Sequence, residues 1–281
     1  MQRTLIIYES ENETTEKMVK YLSLIMGPAK VCRVEEFSET YKYFDLYIIG
    51  SPIYEDKLDG KILKFTEDNI GWLKEKKVAL FCDCLEKDAE GKYLKPLNQI
   101  LRDKVIYSKA ISDEKEIIKF ALLLKEISIR FKKKVPEETV KGLLETFLHS
   151  HNTCTLCTAN EGNVRGTAIE YFYKKGHVYM LTEGGEKFAN ILLNPNVSIC
   201  IYSYHKNMSK LNGIQANGYA SLVDMNSKEY SEIVGRRGIR SEQLNVFPAY
   251  LNLLKVKLNK AEYYSYKFSD MGYEARQDYI F

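Results

Sequence analysis

The segment from Thr153 to Tyr202 constrains the fold of this chain more than any other. Stretches rich in Val, Ile, Thr and Tyr alternate there with turn residues such as Asn-Glu-Gly-Asn, a pattern typical of antiparallel strands joined by hairpins. It predicts strands at 153–158, 164–173 and 177–182, and then a helix that ends at Asn194-Pro195. We therefore expect an antiparallel sheet with a helix after its third strand.

Side chains suited to an anion lie along these elements. Strand alternation places Arg165 and Thr167 on one face of the second strand. If the third strand pairs with the second, the Thr182 hydroxyl, the amides of the following glycine turn and the Lys187 ammonium meet the Arg165 guanidinium. An arginine fork, a lysine charge and free helix amides together suit a phosphate. The alternative is that Arg165 and Lys187 are solvated surface cations, and spacing alone does not choose between the two.

From about Glu138 onward, the chain resembles the pyridoxamine 5′-phosphate oxidase-like split-barrel flavoproteins. The resemblance is carried by four motifs in the family's order: GNVRGTAIE at 162–170, VYMLT at 178–182, EKFANI at 186–191 and NPNVS at 194–198. It implies a six-stranded antiparallel barrel, FMN with its phosphate at Arg165, Thr182 and Lys187, and a homodimer with the flavin ring between subunits. One departure is that Gly185 and Glu186 replace the small hydroxyl residue that commonly precedes the lysine.

The first half of the chain has a different pattern. Buried apolar runs at Thr4–Tyr8, Leu46–Gly50 and Lys77–Cys82 alternate with helical stretches at 14–26, 61–69, 94–101 and 114–131. This alternation predicts a doubly wound α/β domain, in which a parallel sheet carries helices on both faces. Ligands bind such sheets beyond the carboxyl ends of the strands, which here means the loops at 10–15, 51–56 and 83–87.

Two of these loops resemble those of flavodoxin-like domains, through YESENETTEK at 8–17 and IGSPIY at 49–54. The resemblance implies a second FMN site that contains Ser10, Thr14, Thr15, Ser51 and Tyr54. Glu13 stands where the family has glycine, and Glu11 adds another carboxylate. Each carboxylate near a phosphate costs on the order of a few kcal/mol at an effective dielectric of about 20. A flavin site and a purely structural loop are both compatible with this sequence.

The boundary between the halves is predicted in RFKKKVPEE, from Arg130 to Glu138, where three lysines and a proline precede an acidic helix start. We therefore predict a flavodoxin-like domain at 1–133 and a split-barrel domain at 134–281. A helix at 137–149 with a stripe of apolar residues leads into the barrel. Two strands at 251–258 and 262–268 are expected near its end.

Composition excludes several function classes. The net charge of +3, with lysines mixed among Asp and Glu, gives no basic surface for nucleic acid or membrane. No long apolar run or signal-peptide pattern is present, so a cytoplasmic protein with reduced cysteines is expected. Cys154 and Cys157 lie three apart on a strand and point to opposite faces, which disfavours a redox pair. Cys82 and Cys84 lack a second pair of ligands, and no metal site is predicted.

The hypothesis that the sequence favours is an FMN-dependent oxidoreductase, with the flavodoxin-like half as a second flavin site or an electron-transfer domain. The alternative is a non-catalytic flavin- or haem-binding protein with a degenerate flavodoxin domain. Pyridoxal phosphate synthesis is disfavoured because the C-terminal segment offers only Arg276 in place of an arginine-rich substrate site. No catalytic base or nucleophile stands out, as expected when a flavin carries the chemistry.

Overall fold

The computed structural model describes residues 3–11, 13–86, 89–131, 133–204, 207, 210–239 and 250–281. Asn12 of the first loop, Lys132 of the predicted linker and His205 lie outside these residues. The chain divides into two compact units, Met1–Lys132 and Lys133–Phe281. None of the helices in the described ranges is both long and apolar enough to cross a membrane.

The first unit is built on a parallel sheet, as the apolar runs predict. Its strands are β1 (Thr4–Tyr8), β2 (Ala29–Arg33), β3 (Leu46–Tyr54), the two-residue β4 (Lys57–Leu58), β5 (Lys77–Asp83) and β6 (Val105–Ile111). The order across the sheet is β2-β1-β3-β5-β6, with every pair parallel, and β4 pairs with the end of β3 in a short antiparallel hairpin. This is the doubly wound α/β fold.

Helices cover both faces of this sheet. They are α1 (Glu13–Met26), α2 (Gly60–Asp68), α3 (Ile70–Leu73), α4 (Glu90–Tyr93), α5 (Lys95–Leu101) and α6 (Glu114–Ile129). Successive residues of a strand face opposite sides, so the apolar strands supply two cores. Ile6 and Ile48 pack with α1 and α6 on one face, while Ile7 and Ile49 pack with the other helices on the opposite face.

The second unit is a curled antiparallel sheet with helices, as expected of a split barrel. After α7 (Glu137–Ser150) come β7 (Thr153–Asn160), β8 (Asn163–Glu170), β9 (Phe172–Lys174), β10 (His177–Thr182), α8 (Lys187–Leu193), β11 (Asn196–Tyr202), β12 (Asn212–Val223), α9 (Lys228–Arg236), β13 (Asn252–Ser265), α10 (Tyr266–Asp270) and β14 (Arg276–Ile280). The strand order is β8-β7-β11-β12-β13-β10-β9, and β14 forms an additional antiparallel pair with β13. Six long strands match the expected barrel, and short β9 and β14 extend it.

Three predicted strands differ from the structure. The predicted strand at 164–173 is divided at Tyr171, whose buried hydroxyl donates to the Leu148 carbonyl at 2.8 Å. As a result β8 pairs with β7 while β9 pairs with β10, so the predicted third strand does not form a ladder with the Arg165 segment. The two strands predicted at 251–258 and 262–268 are one strand, β13, and α10 follows it.

The core of the second unit joins α7 to the inside of the barrel. Val140, Leu144, Phe147 and Leu148 on the predicted stripe are buried against strand residues such as Leu156 and Val256. Leu143 of the same stripe is partly buried. The helix also contacts β9 and β14 of the sheet.

Candidate functional site

Three predicted phosphate ligands of the second unit come from three elements that meet beside the β8 edge of the sheet. Arg165 is in β8, Thr182 ends β10 and Lys187 begins α8. The three residues lie together although β8 and β10 are not hydrogen-bonded to each other: β8 pairs with β7, and β10 pairs with β9 and β13. Their proximity therefore does not come from the strand pairing on which the sequence prediction depends.

Lys187 is the most unusual of the three residues. Its side chain is only 6% exposed, and its ammonium donates to the carbonyl of Gly184. Within the described part of the chain, no carboxylate lies within ion-pair distance of it. Burial lowers the pKa of Lys187, and the nearby Arg165 charge lowers it further. A buried cation without an anionic partner is costly unless a ligand supplies the negative charge.

Arg165 lies close enough to Lys187 to affect its pKa, yet it has an anionic partner of its own. Its Nη1 atom contacts the Glu186 carboxylate, and the two side chains are 45% and 78% exposed. Glu186 directly precedes Lys187 in the chain. The guanidinium therefore borders solvent, while the ammonium lies deeper at the same site.

The loop between Thr182 and Lys187 requires glycine. Gly184 and Gly185 have φ angles of 144° and 110°, which side-chain-bearing residues rarely adopt. The amide of Gly184 lies 3.4 Å from the Thr182 hydroxyl, which in turn lies 3.3 Å from the Gly184 carbonyl. A Cβ atom on Gly185 would lie 3.5 Å from the Lys187 ammonium. The loop borders a cavity of about 550 Å³ that Thr182 and Leu251 help to line.

Thr167 is two residues beyond Arg165 on the same face of β8. Its hydroxyl oxygen is buried and has no hydrogen-bond partner among the described residues. Buried polar groups are nearly always paired in native proteins, so an unpaired one requires an explanation such as an absent water, ion or ligand. Thr167 thus remains a candidate ligand, as the sequence predicts.

Asn190 was not among the predicted site residues, although it belongs to the EKFANI motif. This buried amide donates to the Thr158 hydroxyl at 3.1 Å and to the Asn163 carbonyl at 3.3 Å, and it accepts from the Asn163 amide at 3.2 Å. Thr158 lies directly opposite Arg165 in the β7–β8 ladder. Asn190 therefore fixes α8, and with it Lys187, against the strands that carry Arg165.

The other predicted residues lie at the carboxyl edge of the parallel sheet in the first unit. Ser10 follows β1, Thr14 and Thr15 are in the first turn of α1, and Ser51 and Tyr54 are in β3. They meet at one edge, beside a cavity of about 560 Å³ that Thr14, Asp56, Asp83 and Glu86 help to line. The topology thus brings them together as expected.

Sequence models of two protein families match the chain. The model described as Pyridoxamine 5′-phosphate oxidase matches residues 140–262, and the one described as Flavodoxin domain matches residues 5–112. Their order and extents correspond to the two units. The chain joins a flavodoxin domain to a pyridoxamine 5′-phosphate oxidase-like domain. Both resemblances predicted from the sequence motifs are confirmed.

Several solved structures are similar to part of this fusion. ChuZ from Campylobacter jejuni is 19% identical, with 60% of this chain and 69% of that chain covered and a TM-score of 0.42. HutZ, a haem storage protein from Vibrio cholerae, is 16% identical over 43% of this chain and 90% of its own, with a TM-score of 0.37. A putative pyridoxamine 5′-phosphate oxidase from Listeria innocua is 15% identical over 44% and 97%, with a TM-score of 0.36. No curated protein matches the chain.

In the flavodoxin domain, several hydroxyls predicted to hold phosphate are engaged within the protein. Thr15 donates to an Asp83 carboxylate oxygen at 2.5 Å. Ser51 donates to the Pro52 carbonyl at 2.8 Å and accepts from the Asp59 amide at 3.0 Å. The Tyr54 hydroxyl accepts a hydrogen bond from the backbone amide of Glu11 at 3.1 Å. This loop amide is therefore already engaged within the protein.

The charges around this loop are also unfavourable to phosphate. Asp83 lies against Thr15, and Glu13 begins α1. Arg33 donates to the Ser10 carbonyl at 3.1 Å, but the same guanidinium is paired with Glu16. Among the described residues, Asp83 and Glu13 would therefore repel a phosphate dianion placed at this loop. By contrast, the oxidase-like domain offers a buried lysine beside an arginine, and this donor set fits an FMN phosphate better.

The cysteine pair of the oxidase-like domain does not have the environment of a redox site. Cys154 is buried, and burial raises the pKa of its thiol to about 12. Cys157 is partly exposed, as expected for a residue on the opposite face of β7. A thiol with a raised pKa forms little thiolate, the reactive species, at neutral pH.

Proposed function

We propose that this protein is an FMN-binding oxidoreductase whose flavin is held in the oxidase-like domain. The observation that carries the proposal is the buried Lys187 ammonium, which has no carboxylate partner among the described residues and lies beside Arg165 and the Thr182 hydroxyl. Such a site is stabilised when a dianionic phosphate enters it. FMN ends in a phosphate of this kind.

In this proposal the protein supplies binding and orientation, and the flavin supplies hydride or single-electron chemistry when bound. Lys187 and Arg165 hold the phosphate, Thr182 and Thr167 supply hydroxyls, and Asn190 keeps α8 in register with β8. The flavodoxin domain acts as a second flavin site or as an electron-transfer domain. The carboxylates at its loop make it the weaker of the two flavin sites.

We further propose that the protein is a homodimer whose interface is formed mainly by residues 138–281. The outward face of β8 supports this, because Val164 is 75% exposed on an edge strand beside Gly166 and Ala168. Leu192 and Leu193 at the end of α8 are also more than 70% exposed. Contiguous exposed apolar patches mark interaction surfaces, and we propose that these side chains belong to one. Light scattering of the full chain should give twice the mass of one chain, and a stable monomer contradicts the proposal.

The test of function begins with the absorption spectrum of the purified full-length protein, with the bound flavin counted per chain. Anaerobic addition of NADH or NADPH then shows whether the flavin is reduced. A flavin spectrum that bleaches supports the oxidoreductase. A flavin that binds but is reduced by neither NADH nor NADPH supports the alternative, a non-catalytic flavin-binding protein. The engaged hydroxyls and acidic loop of the flavodoxin domain are the observations that favour this alternative.

A further inference from the structure

The anion that Arg165 contacts in this structure belongs to the chain itself. Glu186 lies at the mouth of the proposed phosphate site, and its carboxylate contacts the guanidinium. It occupies the position immediately before the buried Lys187. The carboxylate therefore already binds one of the two cations that would hold a phosphate at this site.

Glu186 changes the charge that a ligand meets. Arg165 and Lys187 together carry two positive charges, and the Glu186 carboxylate cancels one of them. A phosphate monoester carries about −1.5 to −2 charges near pH 7. A carboxylate and a phosphate that share one guanidinium repel each other over a few ångströms. The two anions therefore compete for Arg165.

The contact with Glu186 is also one that a ligand can displace. The Glu186 side chain is 78% exposed, and in the described part of the structure its carboxylate contacts no cation other than Arg165. Exposed ion pairs are weak, whereas a dianion held by two cations and a hydroxyl makes several charge-assisted hydrogen bonds. Release of Glu186 into solvent frees the guanidinium and breaks no other hydrogen bond of the Glu186 side chain to a described residue.

We propose that Glu186 is an internal competitor of the flavin phosphate, which holds Arg165 in the free protein and is displaced when FMN binds. This inference rests on the proposed function of the site. Its consequence is that Glu186 lowers the affinity for ligands that carry a terminal phosphate and has little effect on ligands that lack one. Glu186 is thus a specificity-determining residue of the site.

Titration of the full-length protein with FMN, followed by flavin fluorescence, tests the proposal. Glu186→Gln removes the negative charge and should tighten FMN binding by about fivefold, the value of one exposed ion pair. Riboflavin, which lacks the phosphate, should bind both proteins equally. The matched control is Glu183→Gln, because Glu183 is exposed in the same loop and makes no ion pair with a described residue.

A second pair of variants separates competition for Arg165 from a general change in charge. In an Arg165→Ala background, Glu186→Gln should no longer tighten FMN binding, because the shared guanidinium is gone. An equal gain from Glu186→Gln with and without Arg165 overturns the proposal, as does an equal gain from Glu183→Gln. Weaker FMN binding by Glu186→Gln also overturns it, since Glu186 would then position Arg165 for the ligand.

The same titrations distinguish this inference from the proposed function. If the wild-type protein binds FMN and Glu186→Gln leaves the affinity unchanged, only the competitor role is wrong. If neither the wild-type protein nor Glu186→Gln binds FMN, the proposed function fails and the inference fails with it. Binding by Glu186→Gln alone supports both.

Discussion

At the scale of single residues, Lys187 distinguishes a ligand site from an ordinary protein surface. Lys187 is only 6% exposed and has a backbone carbonyl as its partner. Its charge loses hydration, and no carboxylate among the described residues compensates for that loss. Residues of this kind are retained where function needs them, often at the expense of stability. The stability of the free protein therefore carries information about the site.

Lys187→Met should make the ligand-free protein more stable at pH 7, by about 1 kcal/mol, because an apolar side chain of similar length replaces a buried charge. The folded-state pKa of Lys187 lies below its ordinary value, owing to burial and then to Arg165. Between the lowered folded-state pKa and the ordinary lysine pKa of the unfolded chain, the unfolded chain binds more protons than the folded protein. The stability of the wild-type protein therefore rises with pH across that window. The advantage of the variant should shrink there.

Urea denaturation over a pH series measures this effect, with Lys228→Met at an exposed position as the control. The same Lys187 variant should bind FMN much more weakly. A Lys187→Met protein that is less stable at pH 7 and still binds FMN normally would show that the lysine has a structural role.

Arg165→Ala should weaken FMN binding by roughly 1.5–3 kcal/mol, the usual value of a hydrogen bond to a charged group. Riboflavin should lose much less, because it has no phosphate for the guanidinium to contact. The fold should be unaffected, since the side chain is half-exposed and its ion pair with Glu186 is at the surface. Fluorescence titration with both ligands, together with circular dichroism, decides; equal losses for the two ligands return Arg165 to the solvated-cation interpretation.

At the scale of elements, the sequence predicts the central strands of the first unit and misses its edges. Strands β1, β3 and β5 are continuous apolar runs because both of their faces are buried. By contrast, β2 and β6 carry lysines and are only partly buried, since no strand in the described part of the chain pairs with the outer side of either. An edge strand of this composition has no clear period and is hard to distinguish from a loop.

In the barrel, the missed continuity of β13 has a local cause. The predicted break between two strands lies at Asn259, where the β12–β13 ladder shifts register between Asn217 and Gly218. Asn259 is the extra residue of this bulge, so a turn-forming residue sits inside a strand. Gly218 is needed beside it, because a Cβ atom there would lie 2.5 Å from the Lys257 carbonyl oxygen.

The sequence predicts the candidate site only in part. The motifs identify the residue types, but only the structure shows which residues contact one another. The pattern predicts that Arg165, Thr182 and Lys187 converge if the second and third strands pair, and the structure brings them together without that pairing. Nothing in the sequence indicates that Glu186 contacts Arg165 or that Asn190 ties α8 to two strands, since both contacts join distant segments. Likewise, the hydroxyls of Thr15 and Ser51 fit a phosphate motif but form internal hydrogen bonds.

The close packing of β3 against β5 gives a stability prediction for the flavodoxin domain. A Cβ atom on Gly50 would lie 2.2 Å from the ring of Phe81, which is fully buried. Gly50→Ala should therefore destabilise the protein by about 1–3 kcal/mol through overpacking. Gly60→Ala is the control, because no atom of the described residues lies within 4 Å of its added methyl group and alanine favours the helix. Denaturation that shows equal stability for the two variants contradicts the close approach of Gly50 to Phe81.

At the scale of the whole molecule, two domains that both belong to flavin-binding families offer unequal electrostatic environments. The flavodoxin domain places Asp83 and Glu13 beside its loop hydroxyls. The oxidase-like domain places a buried lysine and an arginine beside a glycine loop. Because the phosphate contributes much of the binding of FMN, this difference predicts that one site fills well before the other.

The number of tightly bound FMN molecules per chain tests directly whether Arg165 and Lys187 of the oxidase-like domain hold the flavin. It is measured by titrating the full-length protein, first as wild type and then as the double variant Arg165→Ala, Lys187→Met. We expect one tightly bound FMN per wild-type chain and its loss in the double variant, with both proteins folded. Tight binding that survives in the double variant would place the flavin outside the oxidase-like site.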